Sequence, residues 1–506
     1  MNGSAPSSGG IAAAGAASPG AGERGGLGAS PPGTAGRVRW GLLAVVLAGQ
    51  FMSLLDNTIT NVALPTIGRS LHASGAELQL VVAGYIISFA TFLITGARLG
   101  DLAGRRRTFM AGTALFTISS LACGLAPGIG TLIAARFVQG AGAAAMVPQV
   151  LSVIQLRFSG AARTTALGAY GVVLSSGFAA GQVIGGILVT ANLFGSAWRP
   201  VFLVNVPIGL VVLAFAATVM PAEEGRSTRR LDLPGLVVSS AALCLIILPL
   251  LLGHQENWPG WLLACLGAGC ALMALFVFIE RVVAARGGDP LLSLSVLRSP
   301  GLASGLASLS LIMAGYGGFL FVLAIHLQSG LGDSALRAGL TFVPLAVAFG
   351  LCSLFWRRLP ARWHYLLPAA GCLVTAAGYA GLGLEARGGG AIGLAAQACL
   401  VVTGAFLALS FSPLVTLALV RVPREQAAAA SGLLTTMVQL SQAVGIAVFG
   451  GVFLTLAARV TPHEPSPEIS GHALDVTMLL MAVTMLAGGL ASLPLARTAW
   501  LARRAS

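Results

Sequence analysis

Apolar segments of about 20 residues recur along this 506-residue chain, and the short stretches between them carry arginine. A bilayer core about 30 Å thick is crossed by a helix of roughly that length, so each segment reads as a transmembrane helix. The composition agrees: 56% of residues are hydrophobic and 9% charged, against roughly 25% charged in a soluble domain. Windows of this length place fourteen spans, at 40–64, 78–97, 109–125, 129–150, 165–190, 201–220, 233–252, 261–279, 302–327, 338–355, 366–384, 391–419, 428–457 and 476–495. The expected fold is an all-α membrane protein.

Arginine gives the spans a direction. The chain contains no lysine, and its net charge is +13. With the N-terminus inside, 23 arginines fall in inner loops and tails and 5 in outer loops, and Arg136 is left within a span. Cytoplasmic loops gather positive charge, so both termini are expected in the cytoplasm of a multi-pass cell-membrane protein. The same distribution argues against nucleic acid as the partner. Residues 1–39, rich in Gly, Ala, Ser and Pro, have no apolar h-region and read as a disordered tail rather than a signal peptide. The seven cysteines all lie in apolar runs without metal-ligand spacing, so neither a metal, a cofactor nor a disulfide is expected.

Polar residues inside spans are expensive and therefore informative. Span 1 carries Leu55-Asp56-Asn57-Thr58-Ile59-Thr60-Asn61, and Asp56 is the one acid these windows place well inside an apolar run. Span 4 carries Arg136 and Gln139, and Arg136 is the one intramembrane base. Both lie about 10–14 Å from the outer face at 1.5 Å per residue. Either they pair, or each binds backbone carbonyls and water. Gln139, Gln182, Gln439 and Gln442, with Asn57 and Asn61, either line a cavity or hydrogen-bond between helices. His326 is either a titrating group or an interfacial polar residue. Span 5 spaces Gly177, Gly181 and Gly185 along one face, with Gly186 beside them, a pattern that lets helices approach closely.

Three of these stretches resemble the major facilitator superfamily. The loop Arg98-Leu99-Gly100-Asp101-Leu102-Ala103-Gly104-Arg105-Arg106-Arg107 is similar to its loop signature, departing at Ala97 and Leu102. Span 4 matches its signature at Arg136, Gln139, Gly140 and Gly142. Span 5 resembles the antiporter signature, with Gln182 where proline is usual. The opening of span 6, Trp198-Arg199-Pro200-Val201-Phe202-Leu203-Val204-Asn205-Val206-Pro207, is similar to that of the fourteen-span drug:proton antiporter family.

The resemblance implies two six-helix bundles, 40–220 and 301–496, with 221–300 as an inserted helix pair and 497–506 as a second tail. It also implies proton-coupled efflux of small amphipathic compounds by a monomer in the lipid bilayer. Asp56 would carry the proton with Arg136 as partner. Asp101, Gly104, Arg105 and Arg106 would form a cytoplasmic latch, Asp101 docking on the start of span 13. An uptake symporter on the same fold and a non-transporting receptor are the other readings. No catalytic constellation is visible, so an enzyme is not expected.

Overall fold

The computed structural model describes residues 32–221, 233–253, 258–286, 299, 301–360, 362–419, 422, 427–458 and 466–505. Among them are sixteen α-helices and no strands. In order they are α1 (Pro32–Leu71), α2 (Gly75–Ala103), α3 (Arg105–Gly124), α4 (Ile129–Arg157), α5 (Gly160–Ala191), α6 (Pro200–Leu203), α7 (Asn205–Val219) and α8 (Leu233–Leu252). Then come α9 (Gly260–Ala285), α10 (Leu302–Ile325), α11 (Ala335–Thr341), α12 (Val343–Phe355), α13 (Leu367–Ala386), α14 (Leu394–Leu419), α15 (Ala427–Ala458) and α16 (Pro467–Ala505). Eleven stretches of these helices are long and apolar enough to cross a membrane. By that measure α3, α5 and α8 do not count, although each packs among the eleven.

Local chemistry explains where the helices start and break. Ser74 and Glu77 close a capping box on α2, with Ser74 N donating to Glu77 Oε2 at 2.7 Å and Glu77 N to Ser74 Oγ at 3.3 Å. Gly104 takes φ +91° between α2 and α3, a left-handed turn that suits glycine. The sixth predicted span is broken at Val204. Pro207 lacks the N–H that would have bonded the Leu203 carbonyl, and α6 stops at Leu203. Pro344 interrupts the tenth span in the same way, between α11 and α12.

Several sequence expectations need correction. Helix α1 begins at Pro32, so 32–39 are helical rather than disordered; 1–31 lie outside the described residues. Helix α16 runs to Ala505, so 497–505 continue a helix instead of forming a tail. Ala, Leu and Arg are good helix formers, and that stretch contains neither proline nor glycine to stop them. The same helix begins at Pro467, nine residues before the predicted start, and therefore contains Asp475, which is 3% exposed. Glu280, 1% exposed, lies within α9. Asp56 is thus not the only acid buried in a membrane-length helix.

Helices α1–α7 pack on one another, and so do α10–α16. The hairpin α8–α9 stands outside both groups; α8 touches α2 and α15 beside the seam between them, and α9 packs on α8. Call the side where α1 starts the near side and the side of the α1–α2 turn the far side. Two hydrogen bonds cross the seam on the far side. Gln328 Nε2 donates to the Val62 carbonyl at 2.9 Å, and Leu336 N donates to Thr190 Oγ1 at 3.1 Å. Glycines bring the backbones together there. A Cβ at Gly186 would meet the Ala335 carbonyl at 2.8 Å, and one at Gly339 would collide with the Gln182 carbonyl. On the near side, by contrast, a Cβ at Gly168 would meet nothing within 4 Å.

Candidate functional site

Helices α1, α3, α4 and the α6–α7 junction enclose a polar centre inside the first bundle. Asp56 and Arg136 are both 0% exposed and pair directly, Arg136 Nη1 to Asp56 Oδ2 at 2.5 Å. Charges taken out of water hold only if their remaining hydrogen-bonding capacity is met. Here it largely is. Arg136 Nε donates to the Val81 carbonyl at 3.0 Å, and Nη1 donates also to Gln139 Oε1 at 2.7 Å. The guanidinium carbon lies 4.4 Å from the centre of the Tyr85 ring and 5.6 Å from that of Phe202, within cation–π range. Asp56 Oδ1 accepts from Gln139 Nε2 and from Asn205 Nδ2, each at 2.8 Å. Gln139 Nε2 also donates to Ser120 Oγ at 2.5 Å.

Ser120, Asn205 and Tyr85 belong to this centre and were not singled out from the sequence. Asn205 had a signal: it is the one polar residue after Arg199 in the motif that opens span 6. Ser120 had none, because isolated serines are common in apolar helices. Gln139 belongs to this charge centre, which is walled by one bundle, rather than to a cavity between bundles.

The other candidates are placed as follows. Glycines 177, 181 and 185 face α1, where added Cβ atoms would meet Leu54, Thr58 and Ile59. The run therefore lets α5 close over the segment of α1 that carries Asp56. Gly186 faces α11 across the seam. Helix α5 is continuous through Gln182, whose Oε1 is buried without a hydrogen-bond partner beside α11. A proline there would remove one helix hydrogen bond and crowd the preceding turn. We expect Gln182→Pro to lower the transport rate while membrane abundance stays within about twofold. Unchanged transport would make the position passive.

Asn57 is half-buried, and Asn61 donates to its carbonyl at 3.3 Å. Gln439 is half-buried on α15, while Gln442 is buried against Met313 of α10. His326 sits in a π-helical turn (His326–Gly330), with Nδ1 2.8 Å from Ser470 Oγ. Asp475 pairs with Arg387 at 3.4 Å where α13 ends. In the α2–α3 loop, Asp101 pairs with Arg105 at 2.8 Å and is 56% exposed, and Arg106 donates to the Ala217 carbonyl of α7 at 2.6 Å. The expected docking of Asp101 on the start of span 13 is not among the described contacts. Residues 423–426, which lead into that helix, lie outside the described residues.

Residues 46–446 match the family described as Major Facilitator Superfamily. The chain is 36% identical over 434 residues to a probable actinorhodin transporter of Streptomyces coelicolor, covering 85% of this chain and 75% of that protein. It is 36% identical over 478 residues to a cephamycin export protein of Amycolatopsis lactamdurans, covering 91% and 94%. A tetracenomycin C resistance and export protein of Streptomyces glaucescens is 31% identical over 429 residues, covering 84% and 78%. Among solved structures, an inward-facing, unoccupied bacterial homolog of the human lysosomal transporter Spinster superposes with a TM-score of 0.64. It is 18% identical and covers 93% of this chain and 98% of its own.

Proposed function

The chain belongs to the Major Facilitator Superfamily, and from that premise we propose that it is a proton-coupled exporter of small amphipathic compounds. The cargo would be a drug, antibiotic or natural product, moved across a bacterial cytoplasmic membrane by alternating access. It is a transporter, not an enzyme. The observation that carries the coupling is the Asp56–Arg136 pair: a carboxylate held at membrane depth, in a fully buried polar centre, is a group able to take and release a proton. Export is supported by the two relatives named as export proteins, and the class of cargo by all three.

Fourteen crossings follow when α6–α7 and α11–α12 each count as one span. An even number puts both ends on one side, and the arginine asymmetry makes that side cytoplasmic. The far side is then the outer one. Closure there, with Asp101 exposed at the other end, describes a state open to the cytoplasm. Asp101, Gly104, Arg105 and Arg106 would latch the near side when it closes. In a cysteine-free background, cysteine in place of Arg226 should resist an impermeant thiol reagent in intact cells, and one in place of Pro465 should react. Outside labelling at 226 overturns the topology.

With Asp56 as the one coupling carboxylate, one proton moves per cycle, and exchange for a monocation moves no net charge. A dication would leave against about 2.3 kcal/mol per 100 mV. The test is export from proteoliposomes with the pH gradient and the potential imposed separately, using compounds to which the protein gives resistance in an efflux-deficient host. A pH gradient alone should drive a monocation. Export indifferent to the pH gradient for every such compound would remove proton coupling.

A further inference from the structure

Asp56 is met by donors only. Arg136 Nη1 faces Oδ2, and Gln139 Nε2 and Asn205 Nδ2 face Oδ1. That arrangement suits a carboxylate, which only accepts; a carboxylic acid must also donate. A proton arriving on either oxygen therefore meets a hydrogen already pointing at it, and one neighbour has to change. Gln139 is held at both ends, its Oε1 by Arg136 and its Nε2 by Ser120 as well as Asp56. Asn205 is held at one end. Its Nδ2 faces Asp56, whereas its Oδ1 is buried without a hydrogen-bond partner, and the residue is 0% exposed. The nitrogen has to be the atom at Asp56, since the amide oxygen would repel an ionised carboxylate.

We propose that Asn205 is the positioning residue that reads the protonation of Asp56. Its amide donates to the carboxylate and, turned over, accepts from the acid at Oδ1. The step balances: the carboxylate takes one proton from the medium, and the Asn205 amide exchanges a donated hydrogen bond for an accepted one. Asn205 opens α7 immediately after the break at Val204, where backbone hydrogen bonding is interrupted. Reorienting its side chain therefore acts on the junction of α6 and α7, which gives the proton a mechanical handle on span six. The other charged or titratable groups facing the site are Arg136 on α4, Tyr85 on α2, which accepts from or donates to Ser53 at 2.9 Å, and Cys123 on α3, 3.8 Å from Gln139 Oε1.

This inference rests on Asp56 being the proton site, and the test separates the two. Asparagine is rare in the chain, with six residues, so labelling the asparagine side-chain carbonyl with carbon-13 gives a sparse infrared signal. Difference spectra across a pH titration of reconstituted wild type should contain one carboxylic-acid band that is absent from those of Asp56→Asn, appearing together with a downshift of one asparagine carbonyl, the mark of an oxygen that has gained a donor. The other acids of the chain contribute equally to both proteins, and the asparagine shift should also vanish in Asp56→Asn. In Asn205→Leu the acid band should persist but move to higher frequency, because its hydrogen has lost its acceptor. An acid band with no asparagine shift would overturn the role of Asn205 and leave Arg136 as the group that moves. An Asp56→Asn protein that still exchanges cargo for protons, with no such acid band in wild type, would overturn the proton site itself. The wild-type and Asp56→Asn spectra decide the matter even where Asn205→Leu fails to fold.

Discussion

Arg136→Leu is expected to deplete folded protein from the membrane, because it leaves the Asp56 carboxylate buried at 0% exposure without its counter-charge. Removing one partner of a buried pair costs about 3–5 kcal/mol, a large fraction of the stability of an ordinary domain. The leucine also loses the bonds to Val81 and Gln139 and the contact with the Tyr85 ring. Asp56→Asn is predicted to cost less abundance, because its amide oxygen still accepts from Arg136, whose charge also meets the Val81 carbonyl, Gln139 and the Tyr85 ring, but it should export nothing under a pH gradient. The double variant Asp56→Asn, Arg136→Leu should recover most of the abundance lost in Arg136→Leu and none of the coupling. Abundance is read by quantitative blotting of membranes, and stability by thermal unfolding in detergent. If Arg136→Leu alone accumulates at the wild-type level, the pair is not what holds this centre together.

The second large effect concerns the seam on the far side. Gly339 and Gly186 allow α5 and α11 to touch through backbone, and a side chain at 339 would drive into the Gln182 carbonyl. Gly339→Val should cost about 1–3 kcal/mol of overpacking, and only in the state where this seam is closed. A cost confined to one state moves an equilibrium, here by about 5- to 150-fold towards the state open on the far side. Gln79 reports on it, being 1% exposed with its amide facing Gly450 of the other bundle. A cysteine in its place, in a cysteine-free background, should become reactive to an impermeant reagent in Gly339→Val, while export falls at least tenfold. Gly339→Ala should lie between. Wild-type labelling and transport in Gly339→Val would mean that the two helices part and meet elsewhere.

Much of this protein was legible before any tertiary contact was known, for a physical reason. In hydrocarbon every backbone group has to be satisfied within its own helix, so length and hydropathy alone mark the helices, and arginine in the loops orders them. The same solvent makes buried charge conspicuous, which is why Asp56 and Arg136 stood out from a single sequence. The windows misjudged ends where helices outrun the bilayer, and that error hid Asp475, eight residues beyond the actual start of α16.

Other features needed the fold. Whether Asp56 and Arg136 pair or bind backbone and water depends on how α1 and α4 are turned about their axes, and hydropathy is blind to rotation. Gln139 divides its bonds between Arg136, Asp56 and Ser120 because α1, α3 and α4 meet there, and no spacing along one helix encodes a meeting of three. The glycines of α5 announced close packing but not the partner: Gly181 serves α1 and Gly186 serves α11, five residues and a little over one turn apart. Asn205 joined the charge centre only when the helix broke at Val204 and the amide was delivered to Asp56. Solvent exclusion writes the order and extent of helices into sequence; which side chains meet inside is decided by packing.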